Sequence, residues 1–493
     1  MSDKIVVKDP VMLDKTGVEL VKVGKSIAAA LWAEKAAKVE SKDVNLYDYD
    51  GEIVYSFTKA EFLNLTELPA NPAHDGLTSQ GWNWTLEAAK EYVQKYRYLN
   101  IGQNYTTDDG KTRLYVEIGY PEDLTINLRF HQSVDGGVTI NWGDGSAEET
   151  SVETPPASGT LTGNVTMTHT YAAEGKYVVT MEVAEECTVR LGTNNKTGTT
   201  LVAVGGVAGF FSQGPRQGLK GRASLVGIEI GEGITEIGGG AFAYNTNLKL
   251  IAIPQNVQTI YNIAFFACFK LRAVVLPDGI TAVGALDFAF CHDMTIICLP
   301  ASITSIGVTA FKADISMKRI TIPEGVTAIS ASAFYNCHEL AIIVLPDTVA
   351  GTIGNYAFHS CYCLREINIP VGVTAIGNYA FANCGNLRKA DLPEGLLTIG
   401  KQAFASCFGF KDFVIPSTVT KIDVFAFLYN DGTATFHVRA TTPPVLEPTA
   451  LTAVSSELVI YVPYSEDHSI LNAYLEATGW SSKGDYIYEE AAE

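Results

Sequence analysis

Residues Ile353 to Pro370 read IGNYAFHSCYCLREINIP. The same phrase, roughly I-G-x-x-A-F-x-x-C-x-x-L-x-x-I-x-I-P, is written again and again between about Leu225 and Asn430. Its phenylalanines fall at Phe242, Phe265, Phe288, Phe311, Phe334, Phe358, Phe381, Phe404 and Phe427, a step of 23 residues, except that a residue inserted near Gly351 makes Phe334 to Phe358 a step of 24. The prolines Pro254, Pro277, Pro300, Pro323, Pro346, Pro370, Pro393 and Pro416 keep the same beat. A fixed period of about 20–50 residues marks a solenoid or a propeller. This period is too short for a four-stranded blade, so a solenoid is expected.

The chemistry inside one unit agrees. Leu364, Ile367 and Ile369 put apolar residues on one side of a short extended run, and Pro370, with no N–H for a ladder, ends it. Gly377 is read as a bend that costs little without a Cβ. Ala380, Phe381 and Cys384 then point back inward, so that copies in register would stack into one core. At about 4.8 Å per copy the stack would be a rod of roughly 40 Å.

These residues resemble the leucine-rich repeats of bacterial surface antigens, the BspA-like type, over about two-fifths of the chain. Departures are local: Asp314 and Asn430 stand in the cysteine column, and Tyr261, Ser330 and Asp423 in the glycine column. The resemblance implies a binding role and no enzymatic one.

The chain has 493 residues, is 47% hydrophobic and carries a formal charge of −19. Several globular domains fit that length. A nucleic-acid partner does not fit that charge, since phosphate binding needs a basic surface. Of nine cysteines, Cys268, Cys291, Cys337, Cys361, Cys384 and Cys407 share one repeat position. Zinc sites pair one C-x-x-C with another, and no such pairing is present, so reduced, buried, structural thiols are expected. No run of about 18 apolar residues suits a membrane span, and no membrane insertion is expected. Ile27 to Ala33 follows acidic residues and is short for a secretion signal, which points to synthesis and release in the cytoplasm of the producing cell.

In chain order the fold class reads as multidomain and mainly β. Residues 1–43 form an anchor or oligomerisation segment with an amphipathic helix over Ser26 to Val39; a helix packed on its own neighbouring domain is the other reading. Residues 44–118 resemble small β-grasp repeats of Gram-positive surface proteins through Pro72, Gly76, Gly81 and Trp82. Hairpin turns are expected there at Asp50-Gly51 and Asp109-Gly110, and Thr58 with Glu61 should cap a short helix. Residues 119–186 form a β-sandwich. Trp142-Gly143-Asp144-Gly145, His169-Thr170-Tyr171, Gly175 and Tyr177 resemble the polycystic-kidney-disease (PKD) domain, an immunoglobulin-like spacer. Asp144 reads as a turn-forming residue rather than a calcium ligand. Residues 187–224 are expected to cap the solenoid's first coil. About nine repeats fill 225–430, and 431–493, with a helix near Ser469 to Ala477 and Trp480, close it.

No H-E-x-x-H, G-x-S-x-G elbow or phosphate loop is present. No catalytic residue, cofactor or metal site is assigned, and the chain is read as a non-enzyme. One column, four residues after each repeat phenylalanine, does suit contact: it holds Phe269, His292, His338, Tyr362 and Phe408, with Thr246, Ile315, Gly385 and Asp431 between and beyond them. Facing out, it would offer rings to a protein or sugar surface; facing in, it would pack under the next coil.

The order of segments resembles virion proteins of phages and prophages of gut bacteria. That implies a fibre, decoration or receptor-binding element, assembled in the host cytoplasm and exposed outside. Its partners would be other virion proteins through residues 1–43, a host surface protein or glycan, and further copies of itself, a trimer among the options. A secreted or wall-attached bacterial adhesin is the second reading, and an accessory module of a glycan-active enzyme the third.

Overall fold

The computed structural model describes residues 40–119, 124–152, 163–192, 211–213, 224–430, 435–452, 454 and 457–491. The helix expected over Ser26 to Val39, most of the 187–224 stretch and Asp431 lie outside them. The chain divides into two compact units, 1–280 with 291–301 and 281–290 with 302–493.

The first unit opens with β1 (Val44–Tyr47), β2 (Ile53–Phe57), α1 (Lys59–Leu63), β3 (Leu77–Trp82), α2 (Leu86–Tyr96) and β4 (Leu99–Thr107). The sheet order is β2-β1-β4-β3, with β1 parallel to β4. Gly51 turns the β1–β2 hairpin at φ +86°. Thr58 and Glu61 close a reciprocal capping box on α1, Thr58 N–H donating to Glu61 Oε2 at 2.7 Å.

Strand β4 is buried along its whole length although Asn100, Gln103, Asn104, Thr106 and Thr107 are polar. The reason lies in the first repeat coils. Asn104 Nδ2 donates to Ile253 O at 3.1 Å, Asn83 Nδ2 to Leu276 O and Cys298 O at 3.2 and 3.1 Å, and Trp84 Nε1 to Leu299 O at 2.8 Å. Ile253, Leu276 and Leu299 are the residues just ahead of repeat prolines, so one polar face meets the same position of three coils. Gly102 permits the approach: a Cβ there would lie 2.6 Å from the Val275 side chain. The small domain is thus fastened to the coils.

Beyond it come β5 (Thr112–Ile118), β6 (Thr125–Gln132), β7 (Val138–Asn141), β8 (Glu149–Thr150), β9 (Asn164–Thr170), β10 (Gly175–Val183), β11 (Val189–Leu191) and β12 (Phe211–Gln213). The repeats begin with β13 (Ser224–Glu229), β14 (Ile234–Ile237), β15 (Leu250–Ala252) and β16 (Thr259–Ile260). One sheet runs β15-β13-β5-β10-β7-β8 and another β12-β6-β11-β14-β16, with β9 on β6. The expected hairpin at Asp109-Gly110 is instead a turn between sheets. Strand β5 leaves the small domain and pairs antiparallel with both β10 and β13. The sandwich therefore runs straight into the first coils. Parallel pairing of β11 with β14, and antiparallel pairing of β5 with β13, cover coil edges that would otherwise template foreign strands. Trp142 is buried and stacks on His169 at 4.7 Å, while Tyr171 Oη donates to Trp142 O at 3.0 Å. Asp144 accepts from Ser146 N–H at 3.0 Å and lies 2.8 Å from His169 Nε2, the geometry of a turn-forming aspartate.

In the second unit most coils contribute two short strands joined by tight turns, and the coil between Arg319–Thr321 and Ile342–Val344 lacks the second. Ala350–Ile353, Gly372–Ile376, Thr398–Ile399, Lys421–Ile422 and Val445–Leu446 make one parallel ladder. Glu366–Asn368 pairs with Lys389–Asp391, and Asp412–Ile415, Thr435–Val438, Val459–Val462 and Ile487–Glu489 form another ladder. The phenylalanines stack inside with near-parallel planes, Phe334 on Phe358 at 5.3 Å and Phe358 on Phe381 at 5.2 Å. Gly377 is not where the chain bends. A Cβ there would meet Ile353 O at 2.5 Å, so this glycine serves close packing between coils. The bends lie at non-glycine residues two before and two after the phenylalanine, such as Tyr356 and Ser360 (φ 59° and 60°) or Tyr379 and Asn383 (58° and 61°). Each left-handed residue costs about 1–3 kcal/mol. The offset is that its N–H donates along the stack, Tyr356 to Asn378 O at 2.9 Å and Ser360 to Ala382 O at 2.8 Å.

The beat that ends in sequence at Asn430 continues in space. Phe427 N–H donates to Ala450 O at 3.0 Å as Phe404 N–H does to Ala426 O at 2.8 Å, so buried Leu451 takes the phenylalanine's place in a further coil. Helix α3 (Ser469–Glu476) then seats Tyr474 against Trp480 at 5.0 Å. Both are buried, and their polar atoms donate to Ala440 O and Pro444 O, each at 2.7 Å.

Candidate functional site

The turn that follows each repeat phenylalanine fixes which side chains reach solvent. Two residues after Phe358 the backbone is left-handed; Cys361 then returns to the core, and Tyr362 is turned out. The cysteine anchors this reversal. Cys361 Sγ donates to Phe334 O at 3.2 Å, Cys384 to Phe358 O at 3.1 Å and Cys407 to Phe381 O at 3.1 Å, each one coil back. Asn430 makes the same bond with its amide, Nδ2 to Phe404 O at 2.8 Å, which explains why asparagine shares the column. Burial pushes these thiols up, Cys384 to about 12 and Cys337, Cys361 and Cys407 well above the usual thiol value.

The contact column faces solvent at its three large rings: Phe269 is 38%, Tyr362 46% and Phe408 51% exposed. His292 and His338 are half-buried. In the first unit Phe269 and His292 stack at 4.9 Å with planes 5° apart. In the second, His338 and Tyr362 lie 4.8 Å apart at 32°. Phe408 has no ring beside it in this column, because Gly385 holds the preceding position; a Cβ on Gly385 would touch Phe408 at 3.6 Å. The column thus makes two ring pairs and one single ring.

The sequence reading missed a second set of rings. Tyr335, Tyr356, His359 and Tyr379, at two positions nearer the phenylalanine, cluster on the second unit. Their spacing keeps the repeat period, so lining up every column of the repeat would have exposed them. Among the described residues no three His, Cys, Asp or Glu side chains converge to hold a metal ion. Nor is any described helix long and apolar enough to cross a membrane.

Residues 219–341 and 327–442 match the model of the BspA type Leucine rich repeat region, in six copies. The repeats are therefore leucine-rich repeats of the BspA type. No curated protein matches the chain. Among solved structures, a leucine-rich repeat protein from Bacteroides ovatus is 27% identical, covering 51% of this chain and 69% of its own, with a TM-score of 0.42. A leucine rich cell surface protein from Faecalibacterium prausnitzii is 26% identical over 49% of this chain and 72% of its own, TM-score 0.34. The pneumococcal vaccine antigen PcpA is 17% identical over 56% of this chain and 82% of its own, TM-score 0.33.

Proposed function

We propose that this chain is a non-enzymatic recognition protein that adheres to a cell surface, or to glycans on it, through its repeat region. The observation that supports this reading is the exposure of Phe269, Tyr362 and Phe408 beside a phenylalanine column that is buried throughout. Scattered apolar residues on a surface need no explanation. Rings carried at one position of the repeat offer rigid contact area at little entropic cost, with His292 and His338 adding polar edges. Many displayed copies would let each contact be weak. Display on a virion, as a fibre, decoration or receptor-binding element attached through residues 1–43, is the location favoured by the order of segments. Detection of the chain in purified particles supports that location; its recovery only with the bacterial envelope rejects it.

The test of recognition uses the full-length chain coupled to beads and offered to intact bacterial and epithelial cells. Phe269→Ala, Tyr362→Ala and Phe408→Ala together should lower bead adhesion at least about ten-fold, the loss expected of central ring contacts, with the melting temperature unchanged. Adhesion equal to wild type would remove this column from the site.

A further inference from the structure

The rings on the second unit form one connected cluster. Tyr356 and Tyr379 stack at 4.7 Å with planes 3° apart, and Tyr335 and His359 stack at 5.0 Å and 16°. Tyr356 joins the pairs, 6.3 Å from Tyr335 and 5.7 Å from His359. An ammonium sits over the first and the last of these tyrosines in the chain: Lys312 Nζ is 5.2 Å from the centre of Tyr335, and Lys401 Nζ 5.9 Å from that of Tyr379. Tyr356 is exposed, and the other three rings and both lysines are half-exposed. Asn355 and Asn378, both exposed, flank the tyrosines with side-chain amides.

The charge around this cluster runs against the rest of the chain. The protein has 54 acidic and 35 basic residues. Yet the five turn segments that carry the cluster, 307–314, 330–337, 354–361, 377–384 and 400–407, hold a single carboxylate, Asp314, and it is fully buried. Burial also lowers the pKa of His359, so the charge at neutral pH comes from the two lysines.

We propose that this cluster binds an acidic polysaccharide, its sugar rings lying along Tyr335, Tyr356, His359 and Tyr379 and its carboxylates pairing with Lys312 and Lys401. Tyrosine faces and edges suit the apolar and hydroxyl surfaces of a pyranose. The rings follow one another along neighbouring coils, which suits a linear polymer better than a compact ligand. The net charge of the chain opposes an anionic polymer elsewhere, so it is steered to turns that present two lysines and no exposed carboxylate. A nucleic acid needs many phosphates neutralised at once, and two lysines are too few. The site is distinct from the Phe269–Tyr362–Phe408 column and does not depend on it.

The experiment measures retention of the full-length chain on immobilised polygalacturonate, alginate and hyaluronate, with neutral dextran and oligo-dT as comparison surfaces. Wild type should bind at least one acidic polymer, more weakly as salt rises, and neither comparison surface. Lys312→Gln with Lys401→Gln, and separately Tyr356→Asn with Tyr379→Asn, should each weaken binding about ten-fold or more without changing the melting temperature. Asparagine is chosen because it tolerates the left-handed backbone at those two positions. The triple alanine variant of the contact column should bind the acidic polymer as wild type does, which separates failure here from failure of the adhesion reading. No retention on any acidic polymer, equal retention on dextran, preference for oligo-dT, or full binding by both double variants would each overturn the proposal.

Discussion

The Cys384 thiol donates to the carbonyl of Phe358 at 3.1 Å, one coil back, and it is completely buried. Each cysteine of this column is a small hydrophobe whose S–H satisfies a core carbonyl, and its thiolate is disfavoured by burial. Cys363 alone among the cysteines is only half-buried. Maleimide should therefore label Cys363 first in the native protein and the repeat column only after denaturation. Fast native labelling of several column cysteines would contradict the packing described.

Phe381 stacks between Phe358 and Phe404 at 5.2 Å on each side. Replacing it with alanine should cost about 3–5 kcal/mol, because the neighbouring coils are held by their own ladders and cannot close the cavity. A denaturant titration checks this, and an unchanged transition would mean that the ring carries no packing.

Asn83 joins the small domain to two coils through donated bonds to Leu276 O and Cys298 O, and its Oδ1 accepts from Gly102 N–H at 2.8 Å. Asn83→Ala should destabilise the first unit by about 1–3 kcal/mol, the cost of stranding buried polar groups. Hydrogen exchange should rise at Gly102, whose N–H loses its acceptor. Unchanged exchange there would show that the bond contributes nothing.

His74 Nε2 lies 2.7 Å from Asp48 Oδ2. Burial lowers the imidazole's pKa, but the hydrogen bond and charge of Asp48 outweigh it, so the net direction is upward. A raised folded value stabilises the folded state fully below the unfolded pKa of about 6.5, and that contribution fades as pH rises through the folded value. The melting-temperature gap between wild type and His74→Asn should thus be wider at about pH 5.5 than at about pH 8.5. A gap that widens with pH would reverse the sign.

The repeat was legible because one position, Phe242 through Phe427, recurs at a fixed interval and is buried at every copy. The outward column at Phe269, Tyr362 and Phe408 was legible as a candidate, but whether it faced in or out was not. That depends on left-handed turns at residues such as Ser360 and Asn383, and no glycine marks them. The docking of the small domain was hidden for another reason. Asn83, Trp84 and Asn104 look like loop and strand polar residues, and their partners lie between 149 and 215 residues away. The pairing of β5 with β13 was equally hidden, and a protein cut at residue 187 would lose it, leaving the first coil with an open edge.

The most direct test of the central claim is oxidative footprinting of the full-length chain while it adheres to cells. If the repeat region recognises the surface, Phe269, Tyr362 and Phe408 should be shielded from oxidation, while half-exposed residues of 44–119 such as Trp82 and Tyr98 react as in the free protein. Shielding confined to residues 44–192, with the repeat rings fully reactive, would contradict the account.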